Sequence, residues 1–186
     1  MFRAGVSVAL SRPEIAGYRR GVIFATAALR GALAGLAGAA TMTLGEKLEQ
    51  QLSGRPSSYV PAHTLAHLLG MSSPDDDSWW RNMAMHYGTG AVAGALRGLM
   101  STSNLRGPMA SLMFTEIRLS IDQTLENATG VGAPPWTWPR AELAIDILHK
   151  GVYAFATGAI SDALIPPAPS SSAARRALSR RLKGLA

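Results

Sequence analysis

Glu142, Asp146, His149 and Tyr153 recur at steps of four, three and four residues. At 3.6 residues per turn that spacing stacks all four on one helix face, and Thr157 lies near the same line. Two carboxylates, an imidazole and a phenol in a row are groups that accept and release protons once burial and pairing shift them. A matching line runs through Glu116, Ser120, Gln123 and Asn127. If the two lines face each other, they satisfy each other's polar groups in a buried or water-lined seam. Asp146, His149, Glu142 and Glu116 are its candidate functional residues, with Tyr153 and Gln123 beside them. Such a seam suits a proton relay or a polar solute. The same stripes suit equally the solvated faces of a soluble bundle, or plain hydrogen bonding between helices.

Other chemistry has less support. The chain has no cysteine, which excludes disulfides, zinc–thiolate sites and cysteine nucleophiles. His63 and His67 stand four apart without the Glu of His-Glu-x-x-His. Asp146-Ile-Leu-His149 has the acid-x-x-His form of di-iron bundles, but a second copy and two more carboxylates are missing. No phosphate loop, dinucleotide fingerprint or Gly-x-Ser-x-Gly elbow occurs. No cofactor and no metal are therefore expected. Arg118 and Asp122 make an i,i+4 pair worth a few tenths of a kcal/mol on a helix surface, and it takes no role without a partner across the bundle.

Four long helices must carry these residues. Gly21 to Gly45 is apolar and small apart from Arg30, and Glu46 to Gln51 continues it as a polar exit. Pro61 opens a short helix, Ala62 to Leu69, stopped by Gly70. Ser73-Pro74 followed by Asp75, Asp76 and Asp77 reads as an N-cap for a second long helix reaching Ser101. Arg106-Gly-Pro108 breaks the chain before a third, Met109 to Asn127. The Pro/Trp-rich stretch 130–139 is a rigid loop, and the fourth helix, Ala141 to Ile165, ends at Pro166-Pro167. The expected fold is all-α: a four-helix membrane bundle packed through small residues, plus one short helix in the first long loop. Residues 1–20 are read as a basic tail, 21–165 as the bundle and 166–186 as a second basic, flexible tail.

The packing expectation rests on glycine. Gly90, Gly94 and Gly98 fall on one helix face, and Gly31 and Gly35 repeat the step. Each interior Gly costs a water-exposed helix about 1 kcal/mol relative to Ala. Close backbone approach between membrane helices is the usual compensation, and such a glycine-zipper face could also join copies into a homo-oligomer.

The net charge of +6 looks like a nucleic-acid signal until it is located. Half of the basic residues sit in the tails, at Arg3, Arg12, Arg19, Arg20, Arg175, Arg176, Arg180, Arg181 and Lys183. No aromatics interleave with the C-terminal run, so nucleic acid is not expected as a partner and a lipid bilayer is. By the positive-inside rule both tails face the cytoplasm or its equivalent, in an organelle membrane or another. All four Trp then fall on the far side, where headgroups favour them. No apolar stretch reaches 18 residues without a charge. Asp146 and Lys150 at the bilayer centre would together cost about 5–7 kcal/mol. The last helix must therefore hide them in the bundle, place them at the interface, or lie outside a membrane.

The order of features resembles the YagU-like small inner-membrane proteins. It comprises a Gly/Ala-rich first span, a long polar loop, a second span opening near His86-Tyr-Gly-Thr-Gly90, and a third span. Pro135-Trp136 and a last span with Glu142-x6-His149 complete it. The resemblance implies a four-span membrane protein and brings no catalytic residues. The leading expectation for function is a polytopic membrane protein whose seam handles protons or a polar solute. A helical-bundle acid/base isomerase or cyclase acting on an apolar substrate, and a membrane scaffold without chemistry, are the alternatives.

Overall fold

A computed structural model describes residues 12–168, with side chains from Gly21 onward. The basic residues of the C-terminal run, and Arg3 at the other end, lie outside the described residues. Five α-helices and a short 3-10 turn form the fold: α1 (Arg12–Ser53), α2 (Val60–Leu68), α3 (Trp79–Thr102), α4 (Gly107–Ala128), the turn Pro135–Thr137, and α5 (Arg140–Leu164). No strand occurs among the described residues.

Local chemistry sets most boundaries. Gly54, Gly70 and Gly107 adopt positive φ where α1 and α2 end and α4 begins, a conformation open to glycine at little cost. The first helix is longer than its apolar stretch. It starts at Arg12, within the segment expected as a tail, and its polar exit stays helical to Ser53. The start of α3 also differs from expectation. Its N-cap is Ser78, whose hydroxyl accepts from the Arg81 N–H at 3.4 Å. Residues 73–77 form turns instead, because their groups have other partners. Asp75 and Asp77 pair with His67 at 3.0 Å and His63 at 3.1 Å, and Arg81 donates to the Ser73 and Asp76 carbonyls at 2.7 Å. The two histidines of α2 thus tie down the loop, each to its own carboxylate.

Packing follows the small residues. A Cβ built on Gly31 would stand 2.7 Å from the Gly98 Cα, and one on Gly94 would stand 2.6 Å from the Gly35 Cα. The two backbones therefore touch, and α1 and α3 meet along all five glycines of the repeated step. Those faces are used within one chain, so the homo-oligomer expected through them would have to break this contact. On its other side α1 packs against α5, and α5 packs against α4, while the consecutive helices α3 and α4 barely touch. The core holds Ala39, Met42, Ala93, Met100, Ala110, Phe114, Tyr153 and Ala154.

Many buried positions hold small or polar residues, and many large apolar residues lie outside. Arg97, Thr157 and Ser161 are fully buried, while Val22, Phe24, Leu33, Leu44, Val92, Leu112, Leu148 and Phe155 are exposed. Two helical segments, Gly21–Ser53 and Arg140–Leu164, are long and apolar enough to cross a membrane. Arg30 Nη1 donates to the Leu164 carbonyl at 2.9 Å, and the Ala168 N–H donates to Asn104 Oδ1 at 3.0 Å. The first part of α1, the α3–α4 turn and the end of α5 therefore share one end. The long polar loop and the Pro/Trp loop share the other.

Candidate functional site

Ser111, Thr115, Arg118 and Asp122 are the buried polar face of α4. Their steps of four, three and four match those of Glu142, Asp146, His149 and Tyr153 on α5. Asp122 Oδ1 lies 2.9 Å from Arg118 Nη1, close in distance but off the N–H direction, so the contact is an ion pair and not a hydrogen bond. Across the helix interface Lys150 Nζ lies 3.2 Å from Asp122 Oδ2 and donates to Asp146 Oδ1 at 2.7 Å. Two cations and two carboxylates thus alternate as Arg118–Asp122–Lys150–Asp146. Neutral pairing of this kind is what allows charges to remain charged inside a bundle.

Neighbours lock the network in place. Arg118 Nη2 donates to Thr89 Oγ1 at 2.9 Å, and its guanidinium carbon stands 5.2 Å from the Tyr153 ring centroid, within cation–π range. The Tyr153 hydroxyl donates to the Gly90 carbonyl at 2.7 Å. It is thereby held by the same glycine face that seats α1 on α3.

Above the network opens a cavity of about 450 Å³ at the Trp-bearing end. The second half of α1 supplies one wall through Met42 and Glu46, and the Pro/Trp loop supplies another through Trp138. The Trp138 Nε1–H donates to the Ala133 carbonyl at 2.8 Å, which fixes that ring. Asp146, His149 and Lys150 form the floor, with Glu126, Glu142 and His86 around them. Both cations lining the cavity are engaged. Arg55 pairs with Glu49 at 2.9 Å, and that hydrogen-bonded pairing holds its guanidinium above its already high ordinary value. Lys150 is taken by its two aspartates. Glu46 and Glu142 have no such partner, so the lining is net anionic. His149 is 9% exposed, and its Nε2 has no protein partner.

The expected seam is therefore half realised. Asp146, His149 and Tyr153 lie on the α5 face that meets the bundle, and Glu142 stands exposed at the cavity rim. Glu116 does not join them. It is exposed on the outer side of α4 together with Ser120 and Asn127, while Gln123 is half-buried with an unpartnered Oε1. Asp146 pairs with Lys150 and not with His149. The residues missed were Arg118, Asp122, Lys150 and Glu126. A signal for them existed: α4 carries two polar lines of identical spacing, and only the inner one offers an alternating cation and acid to match Asp146 and Lys150.

A second charged cluster closes the opposite end. Arg97, fully buried, donates to Asp162 Oδ1 at 3.1 Å and Oδ2 at 3.0 Å. Asp162 also accepts from Ser101 Oγ at 2.8 Å and from the Gly107 N–H at 2.8 Å, and Arg106 donates to the Asp162 carbonyl. Among the described residues no group of three or more His, Asp or Glu is arranged to hold a metal ion. Comparison with protein-family models, with curated proteins and with solved structures returns no match for this chain.

Proposed function

We propose that this chain is a four-span membrane protein that passes protons, or a small polar cation, through the cavity and its charged floor. One observation carries the reading. The alternating network Arg118–Asp122–Lys150–Asp146 forms part of the base of an open, net-anionic cavity, beside the unpartnered Nε2 of His149. A group that only braced helices would need neither access nor a spare imidazole. Carboxylates, a histidine and a paired lysine at span depth are the groups from which proton and cation pathways are built. The anionic lining favours cations by charge.

The membrane part rests on the inverted distribution of side chains. So many exposed Leu, Val, Ile and Phe would be a liability in water, whereas lipid covers them at no cost. Two helices meet the requirement for crossing by themselves. On this reading α3 and α4 cross as well, their polar residues sheltered by α1 and α5. Trp79, Trp80 and Trp136, all exposed, then sit in the headgroup zone, and the tails face the cytoplasm or its equivalent.

Proteoliposomes loaded with a pH-sensitive dye test the function under an imposed potassium diffusion potential. Proton entry above protein-free vesicles, lost in His149→Ala and in Lys150→Met, is the expected result. No flux of protons or of a small organic cation with the wild-type chain would refute it. A second reading has one observation in its favour: Asp146 and His149 line a single cavity, as an acid/base isomerase or cyclase would need. An apolar precursor that accumulates on deletion of the gene, with no flux in vesicles, would select that reading.

A further inference from the structure

Met109, Met113, Glu116, Ser120, Gln123 and Asn127 follow one another at alternating steps of four and three residues along α4. This is the a/d period of a coiled-coil seam. The seam lies diametrically opposite the buried Arg118 face. Met109 and Met113 are 69% and 47% exposed, and Glu116, Ser120 and Asn127 are exposed as well. Glu116 is the tenth residue of a 22-residue helix, about 14 Å from its start at 1.5 Å per residue. If α4 crosses a bilayer, that carboxyl group stands near mid-depth, facing outward. A bare acid there is among the most costly residues to leave against lipid.

We propose that this face of α4 is covered by α4 of a second copy of the chain. The proposal rests on the membrane reading above. The chemistry of the stripe favours a like partner. The exposed Ser120 and Asn127 each donate and accept, so a twofold axis that sets like residues against like can satisfy them mutually. The Ser120 hydroxyl and Gln123 amide also supply donors one turn or two from the Glu116 carboxyl of the facing copy. Two facing Glu116 carboxyls can share a proton. A single polar layer in an otherwise apolar seam also fixes register, as buried polar residues do in coiled coils. The glycine faces are already used between α1 and α3 and are not free to join copies.

The chain has no cysteine, so a single introduced thiol reports its own neighbours. Ser120→Cys, oxidised in native membranes, should give a product of twice the monomer mass. Its yield should exceed that of Leu33→Cys, an exposed apolar position on α1, about tenfold, as expected for a contact held by interhelical polar groups. Glu116→Gln should keep the product and Glu116→Lys should reduce it about tenfold on the same scale. Three results overturn the proposal while the chain still resists alkaline carbonate: Ser120→Cys stays monomeric, the two positions cross-link equally, or the adduct has the mass of another protein. Release by carbonate would instead remove the membrane reading itself, and with it the reason for covering Glu116.

Discussion

The Arg97–Asp162 cluster and the Asp122–Lys150 network sit at opposite ends of one bundle and use the same residue chemistry to different ends. At the tail end one carboxylate is surrounded by donors: the Arg97 fork, the Ser101 hydroxyl and the Gly107 N–H. That arrangement welds the end of α3, the start of α4 and the end of α5. Next to it there is no room, since a Cβ on Gly158 would already crowd the Arg97 guanidinium at 3.2 Å. At the Trp end, two carboxylates and two cations alternate beneath about 450 Å³ of open space. Each cluster gives its buried cations a carboxylate, as burial requires: Asp162 for Arg97, and Asp122 and Asp146 for Arg118 and Lys150. Access to open space separates a weld from a site.

The largest effects should come from the closed end and from the helix contact beside it. Asp162→Ala leaves Arg97 buried without a counter-ion, with only the Ser101 hydroxyl and the Leu105 carbonyl to accept from it, and breaking a buried pair in this way typically costs about 3–5 kcal/mol. Little folded protein should be recovered from detergent, and full recovery would show that the weld is dispensable. Gly94→Leu should be as damaging, because its side chain must enter the Gly35 backbone. Gly88, on the same helix with nothing within 4 Å of a built Cβ, is the matched control. Equal yields for Gly94→Leu and Gly88→Leu would mean that close approach is not what holds α1 to α3.

The open network should be less sensitive, because the cavity can admit water to a group that loses its partner. Lys150→Met deprives two aspartates at once and should destabilise by about 2–3 kcal/mol, less than Asp162→Ala. An order reversed in thermal melts would contradict the distinction between the two ends. The pairing itself can be checked by double-mutant cycles on melting free energies. Asp146 and Lys150 should couple by about 1 kcal/mol or more, and Asp146 and His149 by about 0.3 kcal/mol or less.

Sequence reading served these two ends unevenly. The helices, their Gly and Pro stops and the glycine contact were legible because local conformation and small size dictate them. The α5 stripe was legible because its spacing is rigid. The α4 half was not, since a helix with two polar lines of the same period does not say which one turns inward. That choice lies with α5, whose Lys150 needs a carboxylate opposite. The Arg97–Asp162 weld was invisible for a related reason: its members are 65 positions apart and belong to no stripe. Ser73 misled because Asp75 and Asp77 cap nothing and bind histidines instead.

The smallest stability change, and the most informative one, should come from His149. Its Nε2 makes no protein hydrogen bond, so His149→Asn breaks no contact at that atom and leaves every ion pair of the network in place. Melting should shift by about 1 kcal/mol, the ordinary size for a point substitution and well below that of Lys150→Met. Lys150→Met, by contrast, should lose both stability and flux. If the cavity end is a site, His149→Asn abolishes flux at nearly full stability, a separation that no variant of the Arg97–Asp162 cluster can produce. If His149→Asn instead destabilises the bundle as strongly as Lys150→Met, the imidazole is packing material. The two ends of the molecule would then be two welds, one of them imperfect.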